Sequence, residues 1–279
     1  MDPAFETRLP HPLKLRGTGS IVVGPDSQID VLPWLKYRKM KKFMGKQDEL
    51  AVIASGLAAR NAHLSEEELR TKTGLYLCVG FIPFERQEIE TIARNSSDNG
   101  TFSMDLFSTK GFDEVNPLLT FRCLPNMPIF HVSLNLNIQG PYFITYPGAA
   151  QFYVALEQAC LALELKEIDF ALVGGVADQN NFLVQHHYKR SGLGIKAAPD
   201  AAGFICLERN GLDRALRGLG MKYQPGETSQ IERWADTDVE RHLGAASLPV
   251  MLDQFARAGN VRHYLESMDG MQAESFWSL

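Results

Sequence analysis

A layered α/β fold is what the sequence predicts, and three observations predict it. Short apolar runs of strand length, Leu75–Phe81, Asp169–Gly175 and Gly203–Glu208, recur along the chain. Segments with helical spacing of apolar residues separate them. One of these, Ala149–Leu165, is so rich in small and apolar residues that it reads as a helix buried nearly all round, ~25 Å long at 1.5 Å per residue. Strands alternating with helices are the signature of a sheet layered with helices.

Met1–Lys14 is polar and proline-rich and reads as a start lying outside the fold, tag-like or disordered. Ile21–Val23 follows as a short strand. Gly17, Gly19 and Gly24 have the wrong spacing for a dinucleotide fingerprint and read as glycines flanking that strand. Asp48–Ala62 carries Leu50, Val52, Ile53, Leu57 and Ala58 at helical spacing. After the Leu75–Phe81 strand, Pro83–Asn95 reads as an amphipathic helix and Asn95–Thr101 as a polar surface loop. Pro117–Cys123 is a short apolar segment before a turn at Leu124–Pro128. His131–Ile138 alternates at Val132, Leu134, Leu136 and Ile138, as a half-buried strand does. Gly140 and Pro141 break it, and Tyr142–Thr145 resumes extended structure. Beyond Glu208 the reading gives a strand remnant at Lys222–Tyr223 and a helix over Leu243–Ala258. Val261–Glu266 and Ala273–Leu279 then form a closing hairpin.

Composition narrows the function. The 279 residues are 45% hydrophobic with a formal charge of −5, ample for a packed core and poorly suited to nucleic acid. No apolar run approaches the ~18 residues needed to span a bilayer, and the start lacks a signal-like apolar core, so the expected location is the cytoplasm. The four cysteines (Cys78, Cys123, Cys160 and Cys206) are scattered and read as reduced, packed thiols. His186 and His187 diverge on any regular element, and no zinc, calcium or Walker spacing is present, so no metal or bound cofactor is expected. Charge is uneven: residues 1–46 hold nine Lys/Arg against four Asp/Glu. The basic stretch Lys36–Lys46 reads either as a solvated face or as a dock for an acidic partner.

Several motifs are specific in combination. Leu124-Pro125-Asn126-Met127, Gly140-Pro141, the long small-residue helix, the segment Asp169–Gly175 and the segment Ala202–Glu208 stand in an order and spacing that resemble the β-ketoacyl synthases of fatty-acid and polyketide assembly. Weaker matches precede them at Arg38–Phe43 and follow at Arg241–Ser247. The resemblance implies a thiolase-like layered α/β/α fold, here a single domain over 15–279, with an N-terminal half at 15–209 and a strongly shortened C-terminal half at 210–279.

In an active member of the family a cysteine opens the buried helix, where amides and the helix dipole stabilise a thiolate. Counting forward from Gly140 and back from Gly174-Gly175 places that position at Ala149. A methyl group carries no acyl chain. Cys160 lies ~16 Å further along the helix and cannot substitute. Gln151 is two residues past the counted position, and equating it with the glutamine of some non-elongating relatives requires a shift. The first family histidine has no counterpart over Asn210–Glu240. His242 matches the second and reads as a packing residue or a residual catalyst.

The resemblance therefore points to a chain length factor of a type II polyketide synthase, in a short form that resembles the aryl-polyene type: a non-catalytic subunit pairing with an active β-ketoacyl synthase and shaping its acyl tunnel. Tunnel and interface positions implied are Met104, Leu118, Leu119, Phe121, Phe143 and Tyr146, which read equally as plain core. Lys39, Lys41 and Lys42 would dock an acyl carrier protein, whose phosphopantetheine carries the substrate. Two alternatives stay open. One is a carrier-protein-dependent decarboxylase or hydrolase using His242 and the backbone donors of Gly148–Gln151. The other is a scaffold protein outside acyl assembly.

Overall fold

The computed structural model describes residues 9–24, 27–82, 84–190, 199–209, 211, 213–224, 231–234, 237–238, 243–255, 259–267 and 270–279. The first strand, β1 (Leu13–Val23), opens with the buried side chains Leu13 and Leu15, so the fold begins inside the stretch expected to lie outside it. Gly17 and Gly19 sit within this strand rather than beside it. A Cβ on Gly19 would lie 2.3 Å from the Ala58 backbone nitrogen, and its absence lets the first helix settle directly on the strand.

That helix, α1 (Lys46–Asn61), is followed by α2 (Glu66–Lys72), which opens on a Ser65–Glu68 capping box, and by the fully buried strand β2 (Thr73–Val79). The amphipathic segment forms α3 (Arg86–Asn95). The expected polar loop is a small hairpin, β3 (Ser97–Asp98) and β4 (Thr101–Phe102), turned by Asn99 and Gly100 at positive φ, which is the preference of a two-residue hairpin turn. A helical run starts with α4 (Met104–Leu106), and α5 (Leu119–Cys123) leads to α6 (Met127–Leu136).

Helix α6 replaces the strand expected over His131–Ile138. Pro128 sits in its first turn, Ile129, His131 and Val132 are buried together, and Asn137 ends it in the left-handed conformation. The period-2 alternation came from apolar residues spread around a helix already covered on much of its circumference.

The remaining elements are β5 (Tyr142–Thr145), α7 (Gln151–Glu164), β6 (Phe170–Ala177), α8 (Phe182–Arg190), β7 (Asp200–Arg209), β8 (Ala215–Tyr223), β9 (Ile231–Trp234), β10 (Thr237–Asp238), α9 (Ser247–Gln254), β11 (Asn260–Glu266) and β12 (Met271–Ser278). Ten strands follow the order β10-β9-β11-β12-β8-β1-β7-β6-β2-β5. At the centre, β1 meets β8 through two residue pairs only, Leu13–Leu216 and Lys14–Ala215. Two five-stranded groups are thus hinged at one corner. In the first, β5, β2 and β6 run parallel; the closing β11–β12 hairpin of the second is antiparallel, as expected.

The core explains the layering. α1 and α6 cover one face of the first group, sharing a cluster with Leu75, Leu77, Leu172, Phe204 and Cys206. On the other face, α7 and α9 join one cluster with Leu15, Val173, Ile205 and Leu207 of the first group and Val261, Leu265, Ala273 and Trp277 of the second. Helix α7 therefore lies between the two groups. Its start faces the end of the molecule where the parallel strands finish.

Candidate functional site

Three parallel strands end side by side, with Cys78 beside Thr145 and Val79 beside Val176. A sheet of this kind leaves a crevice beyond its carboxyl ends. Here it holds a cavity of about 330 Å³ whose walls come from five places. Gly80 and Phe81 follow β2, and Tyr146 to Ala149 with Gln151 form the entry to α7. Asp178 and Gln179 follow β6, Val184, His187 and Tyr188 belong to α8, and Gly244, Ala245 and Ser267 come from the second half of the chain.

Local sequence makes this geometry. Gly148 turns the chain into the helix with φ +115°, a conformation side chains disfavour. Gly175 lets the Gly244–Ala246 turn press onto β6, since a Cβ there would lie 1.8 Å from the Ala245 carbonyl oxygen. Of the glycine pair read from the sequence at 174–175, Gly175 thus seats the cavity's far wall, while Gly174 faces the Phe204 ring. Phe81 meets the His187 ring at a tilt, 4.7 Å between centroids, and the Tyr188 hydroxyl donates to Gln179 Oε1 at 2.9 Å, which ties α8 over the opening.

Ala149 lies in the cavity wall, one residue before the cap of α7, with 8% of its surface exposed. The Phe152 and Tyr153 amides of the helix's first turn already donate to the Ala149 and Ala150 carbonyls, so what the helix start offers an anion there is its dipole. The residue standing there has no nucleophilic atom. A sulfur close by belongs to Cys78, whose thiol donates to the Gly148 carbonyl at 3.2 Å and is pushed up to about 12 by burial. Cys160 is packed within α7 and likewise raised by burial. A thiol held protonated in apolar surroundings is inert.

A buried ion cluster, which sequence reasoning missed, backs the cavity. Lys46 Nζ lies 3.3 Å from Asp178 Oδ1 and 3.1 Å from Asp200 Oδ2, while Asp200 Oδ1 accepts the Asn180 amide at 2.9 Å. Burial, and then the neighbouring Asp200 charge, hold the Asp178 carboxyl above the usual range. Burial pulls the Lys46 ammonium down, yet the two carboxylates more than offset it and leave it raised. No spacing announces this cluster: its members come from the first turn of α1, the end of β6 and the start of β7.

The other expected site residues fall in three places. Tyr146 lines the cavity, and Phe143 packs on the central core. Met104 and Phe121 are exposed, Leu118 is half-buried and Leu119 is buried. None of these four reaches the Ala149 cavity; Phe121 instead meets Phe43 edge-on at 5.6 Å. In the basic stretch, Lys39 and Lys42 are exposed and Lys41 pairs with Glu49, whereas Lys46 belongs to the buried cluster. His242 lies outside the described residues. Among the described residues no cluster of three metal-ligating side chains occurs, and no helix is long and apolar enough to cross a membrane.

Comparisons agree with this architecture. The family model for the β-ketoacyl synthase N-terminal domain matches residues 25–203, more than half of the chain. No curated protein matches it. Among solved structures, a chain of AntDE:AntF, a type II PKS acyl-carrier protein in complex with its ketosynthase bound to the hexaketide, superposes with a TM-score of 0.70. Identity to that chain is 12%, over 96% of this chain and 99% of that one. A β-ketoacyl synthase from Burkholderia phymatum STM815 gives 0.68 and 12%, again over 96% and 99%. The ishigamide ketosynthase/chain length factor gives 0.57 and 15%, over 76% of this chain and 63% of that one. The fold is thiolase-like, and the chain belongs to the β-ketoacyl synthase family.

Proposed function

We propose that this chain is a non-catalytic ketosynthase-like subunit, a chain length factor, that pairs with an active β-ketoacyl synthase and helps shape its acyl tunnel. The observation that carries the reading is Ala149: the helix start, the cavity and the glycine turn of a nucleophile site are present, and the side chain is a methyl group. A surface suited to a partner supports it. Strand β5 is the edge of the sheet, and Tyr142 on it is 71% exposed; Phe102, Met104, Phe112 and Phe121 also expose large apolar groups. Unpaired edges and apolar groups of this kind favour association. In a shared tunnel, bulky residues from this chain limit acyl length, because each buried methylene contributes only ~0.8 kcal/mol and is outweighed by overlap. Lys39 and Lys42 would assist an acyl carrier protein bringing substrate on phosphopantetheine. The chain itself takes no cofactor in this reading.

Co-expression with an active ketosynthase of a type II system tests the proposal. A stable one-to-one complex is expected; a monodisperse monomer that ignores such partners overturns it. Thioester decarboxylation or hydrolysis without a cysteine draws on one observation, the Asp178 carboxyl in the cavity wall. Turnover of malonyl or acyl thioesters by the isolated chain, lost in Asp178→Asn, is the result that would favour that alternative.

A further inference from the structure

Behind the cavity runs a chain of buried hydrogen bonds that the site described above does not use. Tyr153, in the first turn of α7, places its hydroxyl 2.6 Å from His263 Nδ1 and 3.0 Å from Ser275 Oγ. The Trp277 indole donates to Ser275 Oγ at 2.8 Å. His263 Nε2 lies 2.9 Å from Glu232 Oε1. From the other side, the Leu243 amide donates to Ser247 Oγ, and that hydroxyl donates to Glu232 Oε2, each at 3.2 Å. Tyr153, Glu232, His263, Ser275 and Trp277 are all at most 3% exposed.

The donors and acceptors have a definite direction. Trp277 N–H is a donor only, and a carboxylate is an acceptor only. In the His263 tautomer that donates from Nε2 to Glu232, one arm runs Trp277 to Ser275 to Tyr153 to His263 to Glu232, with Nδ1 accepting from Tyr153. The second arm runs Leu243 to Ser247 to Glu232. Both end on one carboxylate.

Each arm also leads to a wall of the cavity. Tyr153 is one turn from Ala149 and two residues from Gln151; Leu243 and Ser247 bracket Gly244 and Ala245; and β11, which carries His263, runs on into Ser267. Apolar packing is non-directional and fixes such relationships loosely, whereas a fully satisfied buried polar network fixes a single arrangement. We propose that Glu232, His263, Tyr153 and Ser247 are positioning residues that hold the start of α7 and the Gly244–Ala246 turn at one separation, and so set the shape of the Ala149 cavity. The proposal concerns this chain alone and stands whether or not a partner subunit binds.

A reporter thiol tests it. In the full chain carrying Ala149→Cys, iodoacetamide labelling of the introduced thiol reads access through the cavity walls. Adding Ser247→Ala cuts one arm at almost no change in volume, and losing one such bond raises the labelling rate roughly fivefold. Leu248→Val, a neighbouring apolar trim, serves as the control. Acceleration with Ser247→Ala but not with Leu248→Val at matched stability supports the proposal; equal rates in the two, or no change with Ser247→Ala, overturn it. Should Ser247→Ala not fold, Tyr153→Phe cuts the other arm and is read in the same way. Nitrogen-15 spectra of the histidines give a signature that simple destabilisation does not produce. His263 is expected to carry its proton on Nε2 in the parent and to lose that fixed tautomer in Glu232→Leu, which offers Nε2 no acceptor. A parent His263 protonated on Nδ1 overturns the assigned direction and the proposal with it.

Discussion

Replacing Ala149 with cysteine puts a thiol in the cavity wall at the start of α7, and the structure sets how reactive it becomes. A free thiol ionises near ~8.5, and a helix N-terminus contributes ~0.3–1 kcal/mol toward the anion, or about half a pKa step downward after partial burial is offset. At pH 7.5 roughly a quarter of the introduced thiol is then thiolate. The native thiols are far less ionised. Burial, aided by nearby Glu88, pushes Cys123 up to about 11, and burial pushes Cys78 and Cys206 up to about 12. Ionisation alone therefore favours the introduced thiol by ~10³ over Cys123 and by more over the others. The assay is iodoacetamide labelling at pH 7.5, followed peptide by peptide by mass spectrometry, so that all five thiols compete in one sample. Labelling of the introduced thiol first by at least a hundredfold is expected, in keeping with the ~10³ estimate. Labelling no faster than at Cys123 would refute the claim that the start of α7 still has the electrostatics of a nucleophile site.

Other expectations concern stability and association. Burial raises Asp48 from 3.8 to about 8, so the folded protein keeps a proton that the unfolded chain releases above pH ~4. The stabilisation is full below that pH and is lost as pH rises through about 8. Asp48→Asn removes the dependence and gains on the order of 3 kcal/mol over the parent at pH 8 in urea unfolding, with little difference at pH 4; a loss at pH 8 would contradict this. Gly175→Ala drives a methyl into the Ala245 carbonyl and is expected to cost ~2 kcal/mol or more while deforming the cavity; a neutral thermal melt would count against that packing. Tyr142→Lys on the β5 edge should weaken association with a ketosynthase at least tenfold in native mass spectrometry, since a central aromatic is worth ~2 kcal/mol. Reversing Lys39 and Lys42 to Glu should lower carrier-protein affinity and flatten its salt dependence, and unchanged titrations would return that stretch to a plain solvated face.

Much of this was legible in the sequence, and the reasons differ from place to place. β2, β6 and β7 are continuous apolar runs because they are covered on both faces, and α7 announces itself by small residues because it lies between the two strand groups. Spacing to Gly140 and to Gly174-Gly175 pointed to Ala149, which lies in the wall of a cavity whose far side Gly175 seats. What failed failed locally. Helix α6 presents apolar residues around much of its circumference, so alternation imitated a strand; Pro128 near its start and Asn137 at its end were the overlooked signals. Helix α2 and the Asn99–Gly100 hairpin each carried a signature, the Ser65–Glu68 box and the Asn-Gly turn. The Lys46–Asp178–Asp200 cluster and the Glu232–His263–Tyr153 chain carried none. They join residues far apart in sequence, and only the folded arrangement of the helices on the two strand groups brings them together.

The central claim is that acyl groups attach to a companion and never to this chain. Intact-mass analysis of the co-purified complex after exposure to an acyl thioester tests it most directly. The added mass should appear wholly on the partner, and this polypeptide should keep its own mass. An acyl adduct on this chain, alone or in complex, would contradict the account.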